Sequence, residues 1–367
     1  MKIAYFVHDL NDAAVARRVR MMEAGGLSPV VLGFRRGVAS PSDIHGFPVV
    51  DLGRTADARL AQRARAVGRN LLAGGKIAHA VRDCDVFLAR NLESLVLAAR
   101  ASRGRRLVYE CLDVHRTLLG SRWLDRAVQW AEARLLRRVQ LLLVSSPAFV
   151  SEHFDRRAAF RAPSLLVENK VFATDESLPL SPRISGPPWR IGWFGMLRCR
   201  RTLELLTALV KAAGGGVEVL IAGKVAESEF DDFYADVTEV PGLKFIGAYS
   251  PADLPDLYRR VHFAWAIDYF EEGLNSSWLL PNRLYEASYH GAIPIALNDV
   301  QTAAWLARRD AGIIINDPLP DLLALLQGFS IEDYERERSR MARISISDLR
   351  ITQPDCISLA RALGGAA

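Results

Sequence analysis

The chain has 367 residues, half of them apolar, and a formal net charge of +5. That length exceeds what one typical core fills, so two domains are expected. The longest apolar runs, such as Leu141–Val144 and Ile313–Ile315, fall far short of the roughly 20 residues a membrane span needs, which excludes a spanning helix.

Along the first half, apolar runs at Lys2–Val7, 30–34, 49–52, 86–89, 107–110 and 141–145 read as buried strands. Arg-rich helical stretches at Ala13–Ala24 and 56–73 lie between them. Strands alternating with helices predict an α/β fold with a parallel, doubly wound sheet. Residues 172–189, FATDESLPLSPRISGPPW, carry Pro and Ser without periodicity and read as a linker. A second α/β series follows, with strands at 190–194, 217–222, 243–246, 261–267 and Ile293–Leu297, the last of which completes the sheet. A helix is expected over 202–213, another starting at Ser250-Pro251-Ala252-Asp253 (Ser cap, Pro at the first helical position, acidic third position), and a last one over 355–362. The expected division is 1–172, a linker at 173–189, 190–345, and a C-terminal helical segment 346–367.

Charge divides the same way. Residues 1–163 hold 27 basic against 15 acidic residues, and the remainder is net −7. A basic half implies a polyanionic partner, either anionic lipid headgroups or nucleic acid. In the helical stretch 122–139, Leu124, Val128, Ala131 and Leu135 recur at helical spacing and predict a core side. Trp123, Arg126, Trp130, Arg134 and Arg137 form a separate stripe, and Arg59, Arg63, Arg65 and Arg69 add charge on a nearby helix. Trp and Arg together suit the headgroup region of an anionic membrane; the other reading is a solvated charged face. No nucleic-acid recognition motif accompanies the charge, so nucleic acid is not the expected partner. Cys84, Cys111, Cys199 and Cys356 are too scattered for a metal or redox motif and read as reduced thiols of a cytosolic protein. Asp83-Cys84-Asp85 precedes its strand and reads as polar punctuation, so no metal site is expected.

Chemistry concentrates in the loops. GWFGMLRCRR, residues 192–201, follows the first strand of the second series and places Arg198, Arg200 and Arg201 where the next helix begins. A helix N-terminus plus guanidinium groups suits a diphosphate, because the peptide dipole and bidentate donors both favour anions. The absence of G-x-G-x-x-G disfavours a dinucleotide oxidoreductase. Residues 281–297, PNRLYEASYHGAIPIAL, join a helix bearing Glu286 to a Gly291 stop and an apolar strand. In the first half, Asp113 and His115 lie just beyond the strand 107–110, on the edge where open α/β sheets bind ligands. Asp113 as a helix cap is the competing reading. His8, Asp9 and Asn11 follow the first strand and Arg90-Asn91 another; these are acceptor candidates, with plain turn chemistry as the alternative.

The Pro-Asn-Arg, Glu286, Gly291 and Pro294 spacing resembles the nucleotide-sugar-binding segment of the family-4-like GT-B glycosyltransferases. The resemblance implies two Rossmann-like domains facing a cleft, the first binding acceptor and the second the nucleotide-sugar, with the last helix crossing back. It implies that Glu286 binds the donor ribose and that Asn282 and Arg283, in the matched segment, belong to the donor site. It also implies that Arg198 and Arg201 neutralise the leaving diphosphate. Ser276, Ser277 and Asn282 are candidate donors to phosphate or sugar hydroxyls, with ordinary loop polarity as the other reading, and Tyr249 is a candidate to line the base pocket, with simple packing as the other reading. No metal or other cofactor is needed; the donor is expected to be a UDP-sugar. The segment containing Asp113 is similar to the V-Y-x-x-x-D stretch of inverting polysaccharide enzymes, which makes Asp113 the general base and His115 the reserve. Retaining members carry a Glu eight residues before Glu286, where this chain has Trp278; Glu272 lies fourteen upstream, so inversion is expected. The chain as a whole resembles rhizobial succinoglycan-type exopolysaccharide transferases, most clearly in MKIAYFVHDLNDAAVARRVRMM. That likeness implies a lipid-linked oligosaccharide acceptor and peripheral docking on the cytoplasmic face of the anionic inner membrane. A retaining transferase, a GT-B-fold UDP-sugar epimerase and a basic nucleic-acid-binding protein are the alternatives.

Overall fold

A computed structural model describes residues 1–36, 39–55, 60–72, 75–156, 160–173 and 186–365, and within Leu60–Leu72 the side chains of 65–71. The chain divides into two compact units, Met1–Glu168 with Ile351–Ala367, and Asn169–Arg350. Most of the expected linker, 174–185, and Arg59 and the Arg63 side chain lie outside the described residues.

Unit one is built on eight strands: β1 (Lys2–Val7), β2 (Ser28–Arg35), β3 (Asp43–Ile44), β4 (Phe47–Arg54), β5 (Val86–Arg90), β6 (Arg106–Cys111), β7 (Leu141–Val144) and β8 (Ser164–Leu166). Their order is β3-β4-β2-β1-β5-β6-β7-β8, and every pairing is parallel except the short β3–β4 hairpin. Strands β1, β5 and β6 are buried along nearly their whole length because helices cover both faces, which is why they read as continuous apolar runs. The helix Gln353–Gly364 completes this unit. It lies so close to Ala13–Ala24 that a Cβ on Gly25 would sit 2.6 Å from the Cys356 carbonyl. Gln353 Nε2 donates to Ala24 O at 2.8 Å, and Arg106 donates from Nε and Nη2 to the last-turn carbonyls of Leu363 and Ala362.

Unit two holds β9 (Trp189–Leu197), β10 (Val217–Val225), β11 (Leu243–Phe245), β12 (Phe263–Trp265), β13 (Ile293–Leu297) and β14 (Ile313–Ile315), all parallel, in the order β11-β10-β9-β12-β13-β14. The sheet does not end at Ile293–Leu297 as expected, because Ile313–Ile315 pairs beyond it. Successive residues alternate between two apolar layers. Trp193, Ile221 and Trp265 enter one, with Trp305 and Tyr334; Phe194, Ala222 and Ala264 enter the other, with Tyr258. Burying each such ring contributes about 1.5–3 kcal/mol.

Two boundaries differ from expectation. Residues 169–172 begin unit two rather than ending unit one, since Asn169 Nδ2 donates to Leu280 O and Val171 N donates to Leu349 O. At the other end Ile346–Leu349 stays with unit two, where Arg309 pairs with Asp348 at 3.0 Å.

Candidate functional site

In each unit the strand order reverses once, between β1 and β5 and between β9 and β12. At such a switch point neighbouring loops diverge to opposite faces and leave a crevice outside the carboxyl ends of the strands. The two crevices hold most of the residues the sequence singled out.

In unit two, β9 leads through Arg198-Cys199 into the helix Arg200–Ala212, and β12 leads into the loop 266–281. Neighbouring strands approach so tightly here that a Cβ on Gly223, at φ +145, would fall 1.7 Å from the Gly195 carbonyl. The helix Asn282–Tyr289 presents Arg283 in its first turn and Glu286 one turn later. Arg283 Nη1 donates to Trp265 O at 3.4 Å, and its Nη2 lies 3.8 Å from Asp268 Oδ2. Arg198 Nη2 lies 4.0 Å from the same oxygen, while its guanidinium sits 4.2 Å above the Phe270 ring. Arg201 covers the Tyr269 ring at 4.3 Å and pairs with Glu272. Three consecutive residues, Asp268-Tyr269-Phe270, thus gather three guanidinium groups.

Tyr258 Oη donates to Glu286 Oε2 at 3.5 Å. Tyr258, Phe194 and Tyr249 pack edge to face, with centroids 5.1 and 6.5 Å apart. Burial, with the Glu286 charge next, pushes both tyrosine hydroxyls well up, so each keeps its proton beside the carboxylate. Asn282 is exposed at the start of the helix, and Ser277 is half-buried. Ser276 is otherwise engaged: its Oγ accepts the Glu271 N–H at 2.9 Å and closes its own loop.

Unit one arranges its candidates differently. Glu110, 0 % exposed at the end of β6, accepts from Tyr5 Oη at 2.7 Å, Arg18 Nε at 2.6 Å and Arg90 Nε at 3.0 Å. Burial alone would raise its carboxyl, but Arg90 and Arg18 outweigh that and hold it at about 2. Arg90 also donates to Ala14 O and pairs with Asp12, whose Oδ1 accepts the Ala14 N–H and caps Ala13–Ala24. At 1 % exposure Arg90 is a structural member of this network, which corrects its assignment as an acceptor ligand. Asp12, Arg18, Tyr5 and Glu110 were missed because their meaning depends on partners far away in sequence.

Asp9 accepts the Asn11 N–H at 3.1 Å and lies 3.7 Å from Arg36, yet burial dominates and raises its pKa. His8 stands 3.8 Å from Asp12, and Asn11 Nδ2 donates to Ala39 O at 3.5 Å. Beyond β6, buried Val114 separates exposed Asp113 and His115. His115, not Asp113, caps the short helix Arg116–Leu119: its Nδ1 accepts the Thr117 N–H and meets Thr117 Oγ1 at 2.9 Å. That engagement weakens His115 as a reserve base.

No family profile matches the chain. It is 42% identical over 375 residues to the succinoglycan biosynthesis protein ExoL of Rhizobium meliloti (strain 1021), covering 99% of this chain and 93% of that protein. Among solved structures, it resembles Anabaena Alr3699/HepE in complex with UDP and glucose at TM-score 0.72 and 17% identity, over the whole of both chains. Sucrose-phosphate synthase from Thermosynechococcus elongatus matches at TM-score 0.74 and 14% identity, again over both whole chains. The chain has the GT-B fold of these solved structures and belongs to the family of the succinoglycan biosynthesis protein ExoL.

Proposed function

We propose that the protein transfers a sugar from a UDP-sugar to a hydroxyl group of a lipid-linked oligosaccharide, with inversion, in exopolysaccharide synthesis. The observation that carries this reading is the unit-two crevice, where Glu286 follows Arg283 by one helical turn and Arg198 approaches through Asp268. A carboxylate supported by Tyr258 suits a ribose diol, and the guanidinium groups beyond it suit a diphosphate without a metal ion. HepE, the relative solved with UDP and glucose, supports UDP as the carrier. Asp113, at the end of β6, is the group proposed to take the acceptor proton as the hydroxyl attacks the anomeric carbon. Trp278 in place of a second carboxylate, and Glu272 engaged by Arg201, favour direct displacement over retention.

A lipid-linked acceptor places the enzyme at a membrane surface on the cytoplasmic side. Among the described residues no helix is long and apolar enough to cross a bilayer, so docking is peripheral in this reading. Calorimetric titration with UDP, GDP and ADP in EDTA tests the donor site. UDP is expected to bind in preference to the other two, and Glu286→Ala to abolish that binding. Equal or absent binding of all three would remove the assignment.

A further inference from the structure

Asp268 is the least expected member of the unit-two crevice. It is 13 % exposed, carries a negative charge where an anion is proposed to bind, and faces Arg198 and Arg283 from within 4.0 Å. Two explanations compete: the carboxylate orients the arginines, or it occupies their charge. The geometry separates them. Arg198 is already held by the Phe270 ring, and Arg283 by the Trp265 carbonyl. The Asp268 carboxylate is itself fixed by the Phe270 N–H, donated to Oδ1 at 2.9 Å, so it cannot swing away from the two cations. Each guanidinium group is thus oriented by another contact, and Asp268 is the carboxylate that faces both.

Resting on the donor-site reading, we propose that Asp268 is an internal competitor for the diphosphate, and that its role is to release the nucleotide product. The need follows from charge. Transfer breaks the bond between the anomeric carbon and the phosphate oxygen and leaves its electron pair on that oxygen. The departing nucleoside diphosphate therefore carries more negative charge than the nucleotide-sugar that entered. A site of bare arginines would hold its product more tightly than its substrate. A fixed carboxylate between two of them lowers the affinity for both and takes the guanidinium groups back as product leaves.

The test is calorimetric binding of UDP and of uridine to wild type, Asp268→Asn and Asp268→Ser. Removing the charge is expected to tighten UDP about tenfold, the scale of one partly screened charge pair. Uridine, which lacks phosphate, should bind all three proteins alike, and added salt should narrow the UDP gain. Unchanged or weaker UDP binding in both variants, with wild type still binding, would show that Asp268 orients the arginines and would overturn the inference. An equal gain for uridine would overturn it too, since that effect is not electrostatic. Wild type that binds no UDP would instead remove the donor reading on which the inference rests.

Discussion

Asn91 carries a backbone that glycine would hold at less cost. Its φ of 67° and ψ of 164° fall in a region that only glycine enters freely. Asn is a favoured helix cap, yet this one makes no capping bond to Leu92–Ser102, and its buried Oδ1 has no hydrogen-bond partner among the described residues. The position is fixed by neighbours: Arg90 before it is locked to Glu110, and the Asn91 N–H donates to the Glu110 carbonyl. Asn91→Gly is therefore expected to raise the melting temperature by a few degrees, equivalent to about 1 kcal/mol of relieved strain. A lower melting temperature would show that the side chain repays the strain. How much of the site was legible turns on distance along the chain. Glu286 and Arg283 stand in one contiguous motif and can be singled out from the sequence alone. Asp268 is a lone acidic residue in a loop, and its meaning appears only when Arg198 and Arg283 converge on it from two other elements. Arg90 misled for the same reason, since a cation at a strand end looks available until Glu110 is placed beneath it.

The helix Trp123–Leu136 shows where periodicity succeeds and where a tertiary partner overrides it. Apolar spacing put Leu124 on the core side, but Leu124 is exposed and the buried positions are Glu132 and Leu136. Glu132 is accommodated in the interior by His153, whose Nε2 lies 3.0 and 3.1 Å from its two oxygens. The Trp and Arg stripe is exposed. Trp123 and Trp130 are 76 % and 68 % exposed, and Arg126, Arg134 and Arg137 lie exposed beside them. Of the acidic residues on this helix, Glu132 is buried and Asp125 lies in the first turn, where it accepts the Arg122 N–H, against three exposed arginines. Large indoles left in water beside an excess of cations suit an anionic interface, where rings and guanidinium groups are both accommodated. Vesicles containing phosphatidylglycerol are expected to pull the protein down on sedimentation, and neutral vesicles far less. Trp123→Ser with Trp130→Ser should abolish the binding while leaving the melting temperature within about a degree, because exposed sites contribute little to folding. Undiminished sedimentation of the double variant would remove this face as the docking surface. Short strands were the other blind spot: β3, β8 and β14 have two or three residues each, too few for a periodic signal, and exist through their neighbours.

At the scale of the molecule, the two units place opposite kinds of titrating group in their interiors. Unit one buries Glu110 ionised, held at about 2, so its contribution survives until strong acid. Unit two buries His262 and His290 neutral. Burial lowers both to about 4 from an ordinary 6.5, with Arg190 adding to the effect on His262. Since the unfolded chain takes up these protons first, the stability they contribute is complete above pH 6.5 and falls as pH drops towards 4. On acidification to pH 5, unit two is expected to lose on the order of 1 kcal/mol for each histidine. Scanning calorimetry from pH 7 to pH 5 should show one transition moving down first. His290→Asn and His262→Asn should flatten that dependence, and a wild-type profile with no such shift would sink the idea. One last consequence comes from the return of the chain to unit one at Ile351. A ribosome makes Asn169–Arg350 as an uninterrupted stretch, but the helix against Ala13–Ala24 emerges only after all of it. Unit one is begun first and finished last, so throughout synthesis the surface around Ala24 and Gly25 awaits a segment not yet made.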